Sequence, residues 1–271
     1  MTNVAIIGCG YVGTRIAAQW QQAGYTVTAT TTRAERIPEI EPLCDRAIIL
    51  NSQDRDTLKR VLHDQDAVLV AVAPSGGRKY AETYLPTAEA IAAVAPQMPR
   101  LQQLIYTSTY SVYGNYQGDW VTEETPVRPA TPNSEQMVAA EQTCLQIPTL
   151  KTCILRLGGI YGPGRTLERI FSRWAGKIRP GDGSRWSNWI HVDDIVGAIA
   201  FAQAHQLSGI YNVVQDEILR ARDLLAQVCD RHNLEPVAWD ASQPDTRTYS
   251  VQCSNQKLKD AGYQFVHPQF W

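Results

Sequence analysis

The stretch from Val4 to Gly13 (VAIIGCGYVG) constrains the fold more than any other part of the chain. Val4 to Ile7 reads as a buried strand, Gly8, Gly10 and Gly13 follow at G-x-G-x-x-G spacing, and Thr14 to Ala23 reads as an amphipathic helix. Each glycine has its own physical reason. The first makes a turn that needs free φ, the second lets backbone approach a pyrophosphate, and the third lets helix and strand pack closely. The helix then aims its N-terminal N–H groups at the phosphates. Strand, loop and helix together predict a dinucleotide site built on Gly8, Gly10, Tyr11, Val12 and Gly13.

With 271 residues the chain is long enough for one large α/β domain with a smaller lobe, and its formal net charge of -2 gives no general attraction to polyanions. Without a Lys/Arg-rich run, neither nucleic acid nor an anionic membrane surface is expected as a partner. Cys9, Cys44, Cys144, Cys153, Cys229 and Cys253 are scattered with no C-x-x-C spacing, which reads as reduced, buried thiols of a cytoplasmic protein. The N-terminus runs straight into the first strand and no apolar run approaches about 20 residues, so neither a signal peptide nor a membrane span is expected.

Strand and helix patterns alternate through the first two thirds of the chain. Strands are expected at Tyr25 to Thr32, Ala47 to Leu50, Ala67 to Val72, Leu104 to Ser108 and Thr152 to Leu157. Helices are expected over Asp54 to Val61, Tyr84 to Val94, Met137 to Leu145 and Ile190 to Ala204. This alternation predicts an α/β fold, a doubly wound parallel (Rossmann) sheet, with a smaller C-terminal substrate lobe. The expected boundaries are 1–170 for the cofactor domain, completed by about 190–215, and 171–271 for the interleaved lobe. Ligands of such sheets sit beyond the carboxyl ends of the strands. Val72, Ala73 and Pro74, Thr107, Ser108 and Thr109, and Leu157, Gly158 and Ile160 therefore become candidates for one cleft, with Asn51 after the third strand.

The end of the second strand bears on which dinucleotide is bound. NAD sites place a carboxylate there for the ribose 2′-OH, whereas an NADP site must neutralise a 2′-phosphate. Here Thr30, Thr31, Thr32 and Arg33 supply hydroxyls and a guanidinium but no carboxylate. A guanidinium pairs with phosphate in a bidentate fork, so NADP(H) is expected ahead of NAD(H).

Further motifs resemble one family. Thr107 to Gly114 (TSTYSVYG) resembles the "SSxxVYG" strand end of the extended short-chain dehydrogenase/reductases, the NAD-dependent epimerase/dehydratase family. Ile154 to Gly164 (ILRLGGIYGPG) is similar to that family's "LRPxNVYGPG", and Gly181-Asp182-Gly183 with Trp189 to Ile195 (WIHVDDI) is similar to its "GDG…FIHVDD". Ile210 to Val213 and Leu258 to Tyr263 match its "YNV" and "L-x-x-lGy" segments.

The resemblance implies a catalytic Tyr-x-x-x-Lys, in which Lys lowers the Tyr pKa and a nearby Ser or Thr orients the reacting oxygen. This chain departs from that pattern: Asn133 stands at the Tyr position and Met137 at the Lys position, while Thr109 keeps the hydroxyl position. An amide does not titrate near neutrality and a thioether carries no charge. Tyr113 is carried as a second catalytic candidate, and Tyr84, Gly159, Arg165 and Trp189 as the substrate side. Trp174 and Trp186, with Arg173, Lys177, Arg179 and Arg185, suit either an anionic or aromatic substrate or a small core with solvated cations. No third ligand stands at suitable spacing from His191 and Asp193-Asp194, so no metal is expected, and the resemblance places these acids near a helix cap. It also allows a homodimer through Glu135 to Leu145 and part of Tyr84 to Val94. Two readings stay open: an oxidoreductase or epimerase/dehydratase-like enzyme with a non-standard active site acting on a small molecule, and a non-catalytic NADP(H)-binding sensor or assembly factor.

Overall fold

The computed structural model describes residues 2–74, 79–245 and 247–271. Its central element is a seven-stranded parallel sheet formed by β1 (Asn3–Ile7), β2 (Thr26–Thr31), β3 (Arg46–Ile49), β4 (Ala67–Val70), β5 (Gln103–Thr109), β6 (Lys151–Leu157) and β7 (Gly209–Val213). The spatial order is β7-β6-β5-β4-β1-β2-β3. The order reverses between β1 and β4, the switch point at which doubly wound sheets open a ligand crevice. Register is regular there: Val4 lies opposite both Val27 and Ala67, and Ala67 opposite Gln103. The inner strands are continuous apolar runs because both faces are covered. Val4–Ile7, Val68–Val70 and Leu104–Tyr106 are all buried.

Helices α1 (Gly13–Gln22), α2 (Arg55–Leu62), α3 (Tyr84–Val94), α4 (Pro132–Leu145) and α5 (Val192–Ala204) connect or follow these strands. In α2 the Asp54 carboxylate accepts the Thr57 N–H, a side-chain cap that fixes the helix start. Pro132 opens α4 at a position where its missing N–H costs nothing, so the helix begins five residues before the expected Met137. The expected helix over Ile190 to Ala204 starts late for another reason. Trp189–His191 is a short strand paired in parallel with Gly159–Tyr161, and α5 begins only at Val192. Among the described residues no helix is long and apolar enough to cross a membrane.

By internal packing the chain divides into two units, one of residues 1–109, 132–156 and 196–211, the other of 110–131, 157–195 and 212–271. The first holds most of the sheet. The second has two small cores, Tyr110, Tyr113, Val121, Val214, Val251 and Cys253 in one, and Tyr161, Leu167, Leu224, Val228 and Phe270 in the other. A fully buried Asn188 ties its loop to the strand Ser250–Cys253, donating to Val251 O at 2.9 Å and accepting from Cys253 N at 2.8 Å.

Candidate functional site

In the first unit the glycine loop sits where β1 meets β4. Gly8 has φ +95°, the left-handed region that disfavours side chains, and an added Cβ would stand 2.8 Å from Ala71 O. At Gly13 a Cβ would meet Gly8 O at 2.7 Å, so α1 lies against the loop as closely as backbone allows. Gly10 differs from both. Among the described residues, its chain neighbours aside, no atom lies within 4 Å of a Cβ built there, so packing within the described fold does not require the missing side chain. No side chain caps α1, whose first turn follows the loop directly, and Arg15 lies over the Tyr11 ring at 4.0 Å.

Neighbouring strand ends are stitched to this loop. Cys9 N donates to Thr30 O at 2.7 Å, Gly8 N to Thr30 Oγ1 at 3.2 Å, and Ala71 N to Ile7 O at 2.9 Å. Thr107 Oγ1 donates to Val70 O at 3.1 Å, which fixes the end of β5 beside β4. Thr31 is buried at the end of β2 with its Oγ1 accepting from Arg33 N at 3.2 Å, while Thr32 and Arg33 are exposed. Arg36, which the motif reading missed, donates from Nη1 to Cys9 O at 2.8 Å and so reaches back to the glycine loop. Its spacing of three from Arg33 was the available signal. Two carboxylates temper this charge: Glu35 lies 3.8 Å from Arg33 and Glu39 3.0 Å from Arg36. Asn51 is exposed after β3, where its Oδ1 accepts Gln53 N at 3.3 Å.

Behind Thr109 the sheet carries a buried polar cluster. Ser108 Oγ lies 2.5 Å from Glu141 Oε1, and Arg156 grips the same carboxylate through Nε at 3.1 Å and Nη2 at 2.6 Å. These bonds join β5, α4 and β6. Thr109 ends β5 half-buried, whereas Ala73 and Asn133 are exposed, Val72 and Pro74 are half-buried, and Met137 is buried on α4. Tyr84 is buried with its ring 5.0 Å from that of Tyr80, and burial, reinforced by Tyr80, pushes its hydroxyl pKa up. A phenol held neutral in this way is a poor base.

In the second unit Tyr113 is fully buried, and its hydroxyl donates to Asn212 Oδ1 at 2.8 Å. Leu157 is buried, Gly158 N donates to Val213 O at 3.1 Å, and Ile160 O accepts Arg165 Nε at 2.9 Å. Gly159 has a specific partner: a Cβ there would stand 2.8 Å from the Trp189 indole, which lies against the bare backbone. Trp189 also packs edge-on to Phe171 at 5.5 Å and donates to Ser187 Oγ at 2.7 Å. Trp189 thus serves as packing for the strand pair as well as a candidate substrate residue.

This unit also holds a pocket of about 330 Å³ lined by Asn115, Arg185, Trp186, Arg220, Arg247 and Tyr249, among others. Arg220 lies over the Trp186 ring at 4.4 Å, and Arg185 and Arg247 lie over Tyr249 at 5.9 and 5.5 Å. The lining also carries the carboxylates Asp182 and Asp245, and Arg185 Nε pairs with Asp245 Oδ2 at 3.2 Å. Of these cations only Arg185 was singled out from sequence; the others come from segments far apart in the chain and carry no local motif. Asp194 likewise has a role that helix capping did not suggest. It is buried in the first turn of α5 and accepts from Val266 N at 2.7 Å and His267 N at 2.8 Å. His267 comes to rest beside His191 and Asp193, supplying the third metal-type ligand that sequence spacing did not offer. All six cysteines are buried and none is in a disulfide.

Comparisons with known proteins bear on the whole chain. The model for the NAD dependent epimerase/dehydratase family matches residues 4–213. Protein YeeZ of Escherichia coli (strain K12) is 34% identical over 279 residues, spanning 99% of this chain and 97% of that protein. Two solved structures share the fold. One is MoeE5 in complex with UDP-glucose and NAD, at TM-score 0.81 and 18% identity over 100% of this chain and 95% of that one. The other is dTDP-glucose 4,6-dehydratase from Bacillus anthracis in complex with NAD, at TM-score 0.82 and 18% identity over 98% and 92%.

Proposed function

The chain belongs to the NAD-dependent epimerase/dehydratase family, and from that premise we propose that it is an NADP(H)-dependent oxidoreductase acting on a small molecule that carries an anionic group. The observation that carries the reading is Gly10. A glycine whose Cβ would touch no atom of the described residues beyond its chain neighbours, between two glycines that are sterically required, is accounted for by close approach of a ligand to backbone. The residues present fit a dinucleotide: the loop Gly8 to Gly13 and the start of α1 would hold the pyrophosphate, with the α1 N-terminus favouring its negative charge. Thr31, Thr32, Arg33 and Arg36 favour a ribose 2′-phosphate, since β2 ends without a carboxylate and two guanidiniums follow it. NAD(H), named with MoeE5 and the Bacillus dehydratase, is the competing cofactor.

When bound, the nicotinamide supplies or accepts a hydride. Thr109 orients the reacting oxygen of the substrate by a hydrogen bond at the end of β5. The Tyr113 hydroxyl is already given to Asn212, so in this reading it holds structure and the proton exchanges with water at Thr109. Asn133 and Met137, at the family's Tyr and Lys positions, neither titrate nor carry charge, so no phenolate forms there. Within the second unit, the pocket of Arg185, Arg220 and Arg247 suits an anionic group, with Trp186 and Tyr249 offering faces for stacking. The first unit is thus assigned to the cofactor and the second to the substrate.

The test is protein-bound NADPH, followed by its absorbance, challenged with a panel of carbonyl compounds that includes nucleotide sugars. The proposal expects oxidation by at least one, abolished in Thr109→Ala. Tight NADPH binding with no oxidation across the panel would overturn it in favour of a non-catalytic NADP(H)-binding protein. The buried thioether of Met137 and the amide of Asn133 are the observations on that side.

A further inference from the structure

Three side chains outside the proposed reaction converge where the strand Trp189–His191 passes into α5. His191 is the last strand residue, Asp193 stands in the first helical turn, and His267 arrives from the C-terminal segment. One ligand atom from each lies within 4.8 Å of the others. We propose that His191, Asp193 and His267 form a site for a divalent transition cation of the zinc class, which clips the C-terminal segment to the start of α5.

Distance supports this first. Asp193 Oδ2 is 3.4 Å from His191 Nδ1 and 3.3 Å from His267 Nε2. A tetrahedral ion bound at about 2.0–2.2 Å sets its ligand atoms roughly 3.3–3.6 Å apart. The carboxylate oxygen therefore already stands at ligand spacing from both imidazoles. Two imidazole nitrogens and one carboxylate oxygen are a donor set suited to zinc and its neighbours, and a fourth position is left to water or an exogenous ligand. Access is open, since the Asp193 side chain is 55% exposed and that of His267 38%.

The backbone gives a second argument. The Asp193 N–H also lies 3.3 Å from His191 Nδ1, so the turn from strand into α5 holds this ring nitrogen and the Asp193 carboxylate side by side.

The surroundings also hold the ligands in place. Asp194, fully buried, accepts the backbone N–H of His267 at 2.8 Å and of Val266 at 2.7 Å, and Tyr263 Oη donates to its Oδ1 at 3.1 Å. The His191 ring meets Tyr161 edge-on at 5.1 Å, and the two imidazoles lie 3.8 Å apart. Outer partners that fix ligand backbone and ring orientation are a regular part of a metal site. Thiols do not compete for the ion. All six are buried, and Cys9 and Cys144 have pKa values pushed up to about 12, mainly by burial.

The test uses the full chain, stripped with chelator and dialysed. Calorimetric titration with Zn²⁺ is expected to show one equivalent bound. Co²⁺ is expected to give the visible bands of a four-coordinate nitrogen and oxygen site, without thiolate charge transfer. Zn²⁺ should raise the melting temperature of the wild type by linkage. His267→Ala and Asp193→Asn should weaken binding by more than about tenfold, the lower bound for losing an outer partner, and abolish the melting shift. His205→Ala, just past the C-terminal end of α5, should change neither. Absence of Zn²⁺ binding in the wild type, unchanged affinity in Asp193→Asn, or a thiolate signature with Co²⁺ would each overturn the proposal. The wild-type titration decides even where a variant fails to fold, and it is independent of NADPH turnover.

Discussion

Arg33 and Arg36 show how residue chemistry divides into legible and hidden parts. The absence of a carboxylate at the end of β2 could be read directly, because one residue type in one place distinguishes a diol from a phosphate. The partnership of Arg36 with Cys9 O could not, since it depends on a short turn folding back over the loop. On the proposed function, Arg33→Ala should weaken NADPH binding about tenfold, as expected for one partly exposed charge-assisted bond, and leave NADH unchanged. Fluorescence titration with the two cofactors checks this; equal losses for both would place Arg33 away from the 2′-phosphate. Gly159 illustrates the opposite difficulty. It departs from the family's Asn, and the reason emerges only in three dimensions, where the Trp189 indole occupies the space a side chain would need.

At the scale of elements, alternating apolar strands and amphipathic helices made the order of the sheet readable, because a parallel strand buried on both faces leaves an unbroken apolar run. The helix expected at about Tyr84 to Val94 is α3. The pattern failed at Ile190, where a three-residue strand takes its identity from pairing with Gly159–Tyr161 and has no periodicity of its own. What binds the elements together is also polar. Arg156 and Glu141 are each at least 97% buried and join β6 to α4, with Ser108 bringing in β5. Removing one partner strands a buried charge, so Arg156→Ala should cost about 3–5 kcal/mol. Urea unfolding measures it directly. A loss below about 1 kcal/mol, the range of exposed pairs, would mean the cluster is hydrated in solution.

For the whole molecule, connectivity matters more than any single element. The chain passes between its two units after residues 109, 131, 156, 195 and 211. Local sequence does not reveal this, because the crossings after 156, 195 and 211 fall inside β6, α5 and β7, where the strand and helix patterns run on unbroken, and the pocket arginines are brought together only by folding segments around 115, 185, 220 and 247. A fragment cut at residue 170 lacks α5 and the edge strand β7 of the sheet. It should show no cooperative melting transition by circular dichroism, whereas the full chain should melt cooperatively. A cooperative transition in the fragment would show that the first unit completes its core without them.

The account rests on a glycine whose side-chain position the protein leaves open. Gly10 relieves no backbone strain, since its φ is not in the left-handed region that Gly8 occupies, and a Cβ there meets no atom of the described residues beyond its chain neighbours. The most direct measurement is NADPH and NADH titration of the wild type and Gly10→Ala, alongside their melting curves without cofactor. The account predicts that the wild type binds NADPH at least about tenfold more tightly than NADH, the margin of one charge-assisted contact, and that Gly10→Ala loses both cofactors while melting as the wild type does. Undiminished binding by a well-folded Gly10→Ala would contradict it.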